Sequence, residues 1–235
     1  MKRAAGSPGR RVFKPAEIIV ASAVRPGARL SDVREVCSEA LKNGIRSICV
    51  PSVYVDEAAI FIGDTGLKLS TMISFPTGLM PVDLKMMEMR LASEHGVEEV
   101  YFYPNLGNYL DSRIVEFESE LSRVVEESQL IGLKNVKPVV EADLVSGKQF
   151  MEIAGILEAF GFDTMLVSSG FGLKTIGPGV LDVLNAIGET MMVEAHCRLG
   201  SLRDLRSLVE NRVCKVLTVD YGVVSEEASD RRLEE

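Results

Sequence analysis

The sequence predicts a single α/β domain, one eight-stranded parallel (β/α)8 barrel of the TIM type. Three observations carry that expectation. Short apolar runs of strand length recur eight times, helix-period segments separate them, and no Pro/Gly-rich linker divides the chain. Its 235 residues lie close to the roughly 250 typical of one such barrel. Strands separated by helical segments run parallel with right-handed crossovers, and eight is a number that closes a sheet on itself.

The strands are expected at residues 17–23 (EIIVASA), 46–50 (RSICV), 69–74 (LSTMIS), 99–103 (EVYFY), 136–141 (VKPVVE), 164–168 (TMLVS), 191–195 (MMVEA) and 215–220 (KVLTVD). After the first strand, Leu30, Val33, Val36, Ala40 and Leu41 fall on one helical stripe. A long helix after the fourth carries Ile114, Phe117, Leu121, Val124 and Val125. Asp111 or Ser112 is placed to cap that long helix, and Ser201 to cap the one after the seventh strand. The barrel is expected over residues 16–224. Before it stands a flexible basic leader (1–15), with Lys2, Arg3, Arg10, Arg11 and Lys14 and no acid; after it comes a charged tail (225–235).

Composition narrows the function classes. At 46% hydrophobic and 26% charged the chain is an ordinary globular protein, and a net charge of -8 with pI near 5.0 argues against a nucleic-acid binder. No segment approaches the roughly 18 apolar residues of a membrane span, and the leader lacks the apolar run of a signal peptide, so a cytoplasmic protein is expected. Cys37, Cys49, Cys197 and Cys214 are scattered, which signals neither a disulfide framework nor a zinc site; no metal or cofactor is expected. Gln129 and Gln149 are the sole glutamines, a hint of a thermophilic source.

In such a barrel chemistry belongs at the carboxyl ends of the strands. The candidates there are Ser22, Cys49, Ser74, Tyr101, Tyr103, Glu141, Ser168, Glu194, His196 and Asp220, with Lys137 sharing strand parity with Val139 and Glu141. The stretches 49-CVPSVYV-55, 74-SFPTG-78, Lys85 with Glu88, 96-GVEEV-100, 136-VKPVVEADL-144, 161-GFDTMLVSSGF-171 and 191-MMVEAHCRLGS-201 resemble, in order and spacing, the deoxyribose-phosphate aldolase family of class I aldolases. That resemblance implies an imine between a lysine amine and an aldehyde, and a lysine whose pKa is lowered by neighbouring positive charge and desolvation.

Four of the family's catalytic positions are replaced. The imine-forming lysine falls at Leu166, the second lysine at Glu194, and the two aspartates at Tyr101 and Val20. Cys49, Lys137, Glu141 and the loop Ser168-Ser169-Gly170-Phe171 persist. The loops that hold phosphate in the family read 195-AHCRLGS-201 and 217-LTVDYG-222 here, with Cys197 and Arg198 for the paired glycines and Asp220 and Tyr221 in the serine region. Arg198, Arg25 or Lys174 is left as an alternative anion contact. The expected ligand contacts are Cys49, Ser168, Ser169, Gly170, Arg198 and Asp220.

The resemblance therefore implies an aldolase-like protein that has lost imine chemistry and is retained for binding, assembly or regulation. A small phosphorylated metabolite is the expected ligand, and a homo-oligomer, or a hetero-oligomer with an active relative, the expected assembly. Two active alternatives stand beside it. One is a carbon–carbon lyase with Lys137 as nucleophile and Glu141, Glu194 and His196 handling protons. The other is a non-imine enzyme using Glu194, His196 and Glu141, with or without a metal. The bland reading of Lys137 is a buried ion pair with Glu141 or Glu194; Tyr101, Phe102, Tyr103 and Tyr109 in turn fill space near the end of the fourth strand.

Overall fold

The computed structural model describes residues 13–187 and 190–225. Eight strands, β1 (Ile19–Ser22), β2 (Ser47–Val50), β3 (Lys68–Ile73), β4 (Glu99–Phe102), β5 (Asn135–Glu141), β6 (Thr164–Ser168), β7 (Met192–His196) and β8 (Val213–Thr218), form a closed barrel in sequence order, every neighbouring pair parallel. Around it lie α1 (Pro15–Ile18), α2 (Leu30–Lys42), α3 (Val55–Ile62), α4 (Val82–Glu94), α5 (Leu106–Leu110), α6 (Ile114–Leu130), α7 (Gly147–Ala159), α8 (Pro178–Ile187) and α9 (Leu202–Glu210). The expected (β/α)8 barrel is what the chain forms.

Each expected strand is present, with boundaries within two residues. The first begins later than its apolar run because Pro15, with its fixed φ, opens the helical turn α1 and takes Glu17 and Ile18 into it. Ser201 caps α9 as expected, its Oγ accepting from the Asp204 N–H at 3.4 Å. The long helix α6 departs from expectation. Its N-cap is Arg113, with no side-chain cap, and Ser112 sits at φ +60°, so neither Asp111 nor Ser112 plays that part. Most of the basic leader (residues 1–12) and the tail from 226 lie outside the described residues. Among the described residues no helix is long and apolar enough to cross a membrane.

Two apolar regions hold the barrel. One lies between sheet and helices and includes Val33, Val36 and Ala40 of α2 and Phe117, Leu121 and Val124 of α6. The other fills the barrel itself with Val20, Val24, Cys49, Met72, Tyr101, Tyr103, Val139, Leu166 and Leu217, against which Phe75 packs. A buried lysine ties the upper rim together. Lys85 Nζ donates to the carbonyls of Gly78 (2.5 Å) and Tyr103 (3.0 Å) and pairs with Glu120. Glu120 in turn accepts from the Asn105 N–H at 2.9 Å. The β3–α4 loop can reach β4 because residue 78 is glycine: at φ +68° a Cβ there would lie 2.3 Å from the Pro104 carbonyl oxygen. Lys85 and Glu88, adjacent on α4, thus serve different partners; Glu88 accepts from the Ser74 N–H at 2.8 Å.

Candidate functional site

Period-2 alternation points the middle residues of the strands into the barrel. At the four positions where the resemblance leads one to expect catalytic groups, this interior is mostly apolar. Val20 and Leu166 are buried, and Leu166 aligns with Val139 on one side and Glu194 on the other. Tyr101 is fully buried, its hydroxyl within 2.7 Å of Glu99 Oε1 and 3.0 Å of Glu194 Oε2.

Those two carboxylates organise a charged cluster below the apolar layer. Lys137 Nζ donates to Glu194 Oε1 at 2.6 Å and to Glu99 Oε2, and Lys215 Nζ stands 4.0 Å from both. Lys137 aligns with Tyr101, whereas Glu99 is the first residue of β4. The ammonium therefore points toward the amino-terminal rim, where Glu99 also lines a small cleft with Ser47, Lys68 and Asn135. Burial works against the charge of Lys137, but Glu194 and Glu99 outweigh it and hold its pKa above the ordinary lysine value. An imine-forming lysine needs the opposite shift. Of the two expected ion-pair partners the structure selects Glu194 and replaces Glu141 with Glu99.

Glu141 is engaged elsewhere. At the end of β5 its carboxylate accepts from the N–H groups of Gly170 (2.6 Å) and Phe171 (3.0 Å), fastening the loop that follows β6. That loop runs through three left-handed residues, Gly170 (φ +53°), Phe171 (φ +55°) and Gly172 (φ +79°), and comes down on His196. A Cβ on Gly172 would lie 2.0 Å from His196 Nε2, so only glycine allows the contact. The imidazole is 1% exposed, its pKa pushed down to about 3 by burial, and its Nδ1 lies 3.5 Å from Ser168 Oγ. Ser169 Oγ donates to the Thr175 carbonyl at 3.2 Å. Phe75 leans on both Tyr103 and His196, with ring centroids 5.6 and 6.3 Å away. Cys49 is buried, and burial raises its thiol pKa far above the usual range, the behaviour of a small core residue.

Glu141, Glu194 and His196 are consequently not assembled into one group. Glu194 faces Lys137, Glu141 faces backbone, and His196 faces Ser168 and Gly172; among the described residues no three His, Cys, Asp or Glu side chains converge as metal ligands.

The loops beyond β7 and β8 are closed by internal ion pairs. Arg198 grips Asp220 through Nε (2.5 Å) and a terminal nitrogen (2.7 Å), and the Leu199 N–H donates to the same carboxylate at 2.9 Å. The Gly200 N–H donates to Asp204 at 2.8 Å. Lys174 pairs with Asp143 at 2.6 Å and Arg25 with Asp32 at 3.1 Å. Each cation expected as an alternative anion contact thus already holds a carboxylate of the chain.

Sequence reasoning missed Glu99, Lys215 and Glu120. Glu99 shares parity with Tyr101 and Tyr103, and Lys215 with Leu217, so alternation alone could have placed both inside the barrel. Glu120 carries no such signal, because a glutamate in a helix of mixed charge reads as solvated.

No protein-family model matches the chain. It is 26% identical over 208 residues to the deoxyribose-phosphate aldolase of Caldicellulosiruptor saccharolyticus, covering 87% of this chain and 94% of that one. It is 27% identical over 203 residues to the deoxyribose-phosphate aldolase of Desulfitobacterium hafniense, covering 85% and 92%. Among solved structures the tetrameric deoxyribose phosphate aldolase of Aeropyrum pernix superposes with a TM-score of 0.78 at 24% identity, over 92% of this chain and 91% of that one. By sequence and by fold, the chain is similar to deoxyribose-phosphate aldolases.

Proposed function

We propose that this barrel is an aldolase-family protein without imine chemistry, kept for binding at its mouth. The observation that carries the reading is the state of its interior lysine. Lys137 is clamped between Glu99 and Glu194, is turned toward the amino-terminal rim, and has its pKa raised. An amine so held is protonated at neutral pH and carries no free electron pair to attack an aldehyde. Leu166, in the place where the resemblance puts the nucleophile, has no group to offer. At the rim Glu141 and Asp220 occupy the backbone N–H groups and the guanidinium that would otherwise receive phosphate oxygens.

Borohydride reduction of the purified protein with glyceraldehyde 3-phosphate and acetaldehyde tests the reading. No mass increase is expected; a stable adduct on any lysine would overturn it. The same reading includes assembly. The Aeropyrum relative is tetrameric, and Leu84, Met87 and Leu91 form an exposed apolar stripe along α4. Light scattering that returned a monomer at micromolar concentration would remove this part.

A further inference from the structure

We propose that residues 170–174 form a strap that closes the barrel mouth over His196, with the Glu141 carboxylate as its latch. The proposal deepens the reading of a binding mouth and rests on it: a molecule that reaches His196 has to displace this strap. Ties run from the segment to the strands on both sides. Toward β5, Glu141 accepts from the Gly170 and Phe171 N–H groups at 2.6 and 3.0 Å, and Lys174 donates to Asp143 at 2.6 Å. Toward β7, the Arg198 N–H donates to the Lys174 carbonyl at 2.9 Å, and Gly172 rests on the imidazole. Beneath that cover His196 is 1% exposed.

The ties differ in strength, and that difference makes Glu141 the latch. The Lys174–Asp143 pair is exposed, with 66% and 40% of the two side chains' surface in water, and exposed pairs contribute little. Glu141 is 2% exposed, and its carboxylate finds its hydrogen bonds in the strap. Bonds to an ionised acceptor are roughly twice as strong as neutral ones. Other features favour opening. Phe171 is held at φ +55°, a left-handed conformation that is costly for a bulky residue, between two left-handed glycines. Leu173 is half exposed, and the residue laid over the imidazole is a glycine, so lifting the strap uncovers little apolar side-chain surface. Backbone strain is thus stored in this segment and held shut chiefly through one carboxylate. When the strap lifts, water reaches Glu141 and the imidazole together, while the sheet beneath keeps its ladder.

Modification of the folded protein with diethyl pyrocarbonate, read by peptide mass, tests the latch. The chain has two histidines, and His95, 42% exposed, is the internal standard. In the parent His196 is expected to react far more slowly than His95. Glu141→Gln keeps the side chain's shape and removes its charge. It should speed modification of His196 by about tenfold, the equivalent of one hydrogen bond to a charged group, and leave His95 unchanged. Lys174→Ala, which removes only the exposed tie, should speed it by about twofold. Alkylation of Cys37, buried in α2, reports global unfolding in the same samples. The proposal is overturned if His196 in the parent reacts as fast as His95, or if Cys37 becomes reactive in step with His196. It is equally overturned if a folded Glu141→Gln leaves the His196 rate unchanged, or if Lys174→Ala does so where Glu141→Gln does not fold. No ligand is present, so the two readings fail separately. A borohydride adduct would sink the absence of imine chemistry and leave the strap standing, while unchanged His196 rates would sink the strap alone.

Discussion

The two ends of the barrel interior treat polar groups differently. Toward the amino-terminal rim, Glu99, Glu194, Lys137 and Lys215 bring two negative and two positive charges together, with the Tyr101 hydroxyl bridging the carboxylates. At the mouth, the buried groups are neutral (Tyr103, Ser168, His196), and the rim carboxylates Glu141 and Asp220 are bound to loop N–H groups. Between the two ends lies an apolar layer containing Val20, Val139, Leu166 and Leu217. Imine catalysis needs an unprotonated amine at the mouth. Here the Lys137 amine lies below the apolar layer with its charge paired to Glu99 and Glu194, so the barrel interior holds two separate polar environments.

The largest expected effect comes from breaking the lower cluster. Lys137→Met leaves Glu194, 3% exposed, with Lys215 at 4.0 Å as its remaining cation. Removing one partner of a buried ion pair destabilises by about 3–5 kcal/mol, largely because the other charge is stranded. Adding Glu194→Leu should recover most of that loss, since well-packed apolar replacements of buried pairs are often neutral. Urea unfolding of the single and double variants checks both. A Lys137→Met midpoint equal to that of the parent would mean that the cluster is solvated, not buried.

That cluster also shows which parts of the molecule could be read in the sequence. The strands were legible because apolar runs and helical periods are local signals, and strand parity placed Lys137, Glu194 and Leu166 inside. The partner of Lys137 was harder. Glu141 lies on the same strand and looked natural, but the lysine side chain reaches sideways and downward to Glu99 across a β4–β5 register that no local pattern specifies. Glu141 was free to turn to the Gly170 and Phe171 N–H groups, a choice set by the left-handed loop after β6. The motif 168-SSGF-171 marks the position of that loop and says nothing of its descent onto His196. The Arg198–Asp220 pairing is likewise a contact between two successive loops, after β7 and β8, and charge counts alone could not assign it.

The mouth has its own pH signature. In the unfolded chain a histidine titrates near 6.5, and in the fold burial pushes His196 to about 3. Between those values the unfolded state binds the extra proton, so stability falls as pH drops from 6.5 toward 3, by up to about 1.4 kcal/mol per pH unit. At pH 5 the contribution is roughly 2 kcal/mol. His196→Asn should flatten this part of the acid limb, and the measurement is the difference between the two proteins' unfolding free energies at pH 7 and pH 5. Parallel limbs would show that the imidazole is already protonated or solvated in the fold.

The smallest effect separates the two ends most cleanly, because it compares the same substitution at two tyrosines. Tyr101→Phe removes a hydroxyl that reaches two carboxylates, and hydrogen bonds to charged groups contribute about 1.5–3 kcal/mol, so this variant should lose stability in that range. Tyr103→Phe removes a hydroxyl whose hydrogen-bonding neighbour is the uncharged Ser168, and leaves the ring packed against Phe75. It should lose no more than about 1 kcal/mol, the contribution of one uncharged hydrogen bond. Thermal melts of both variants against the parent give the two values needed. Equal losses at residues 101 and 103 would erase the contrast between the two ends.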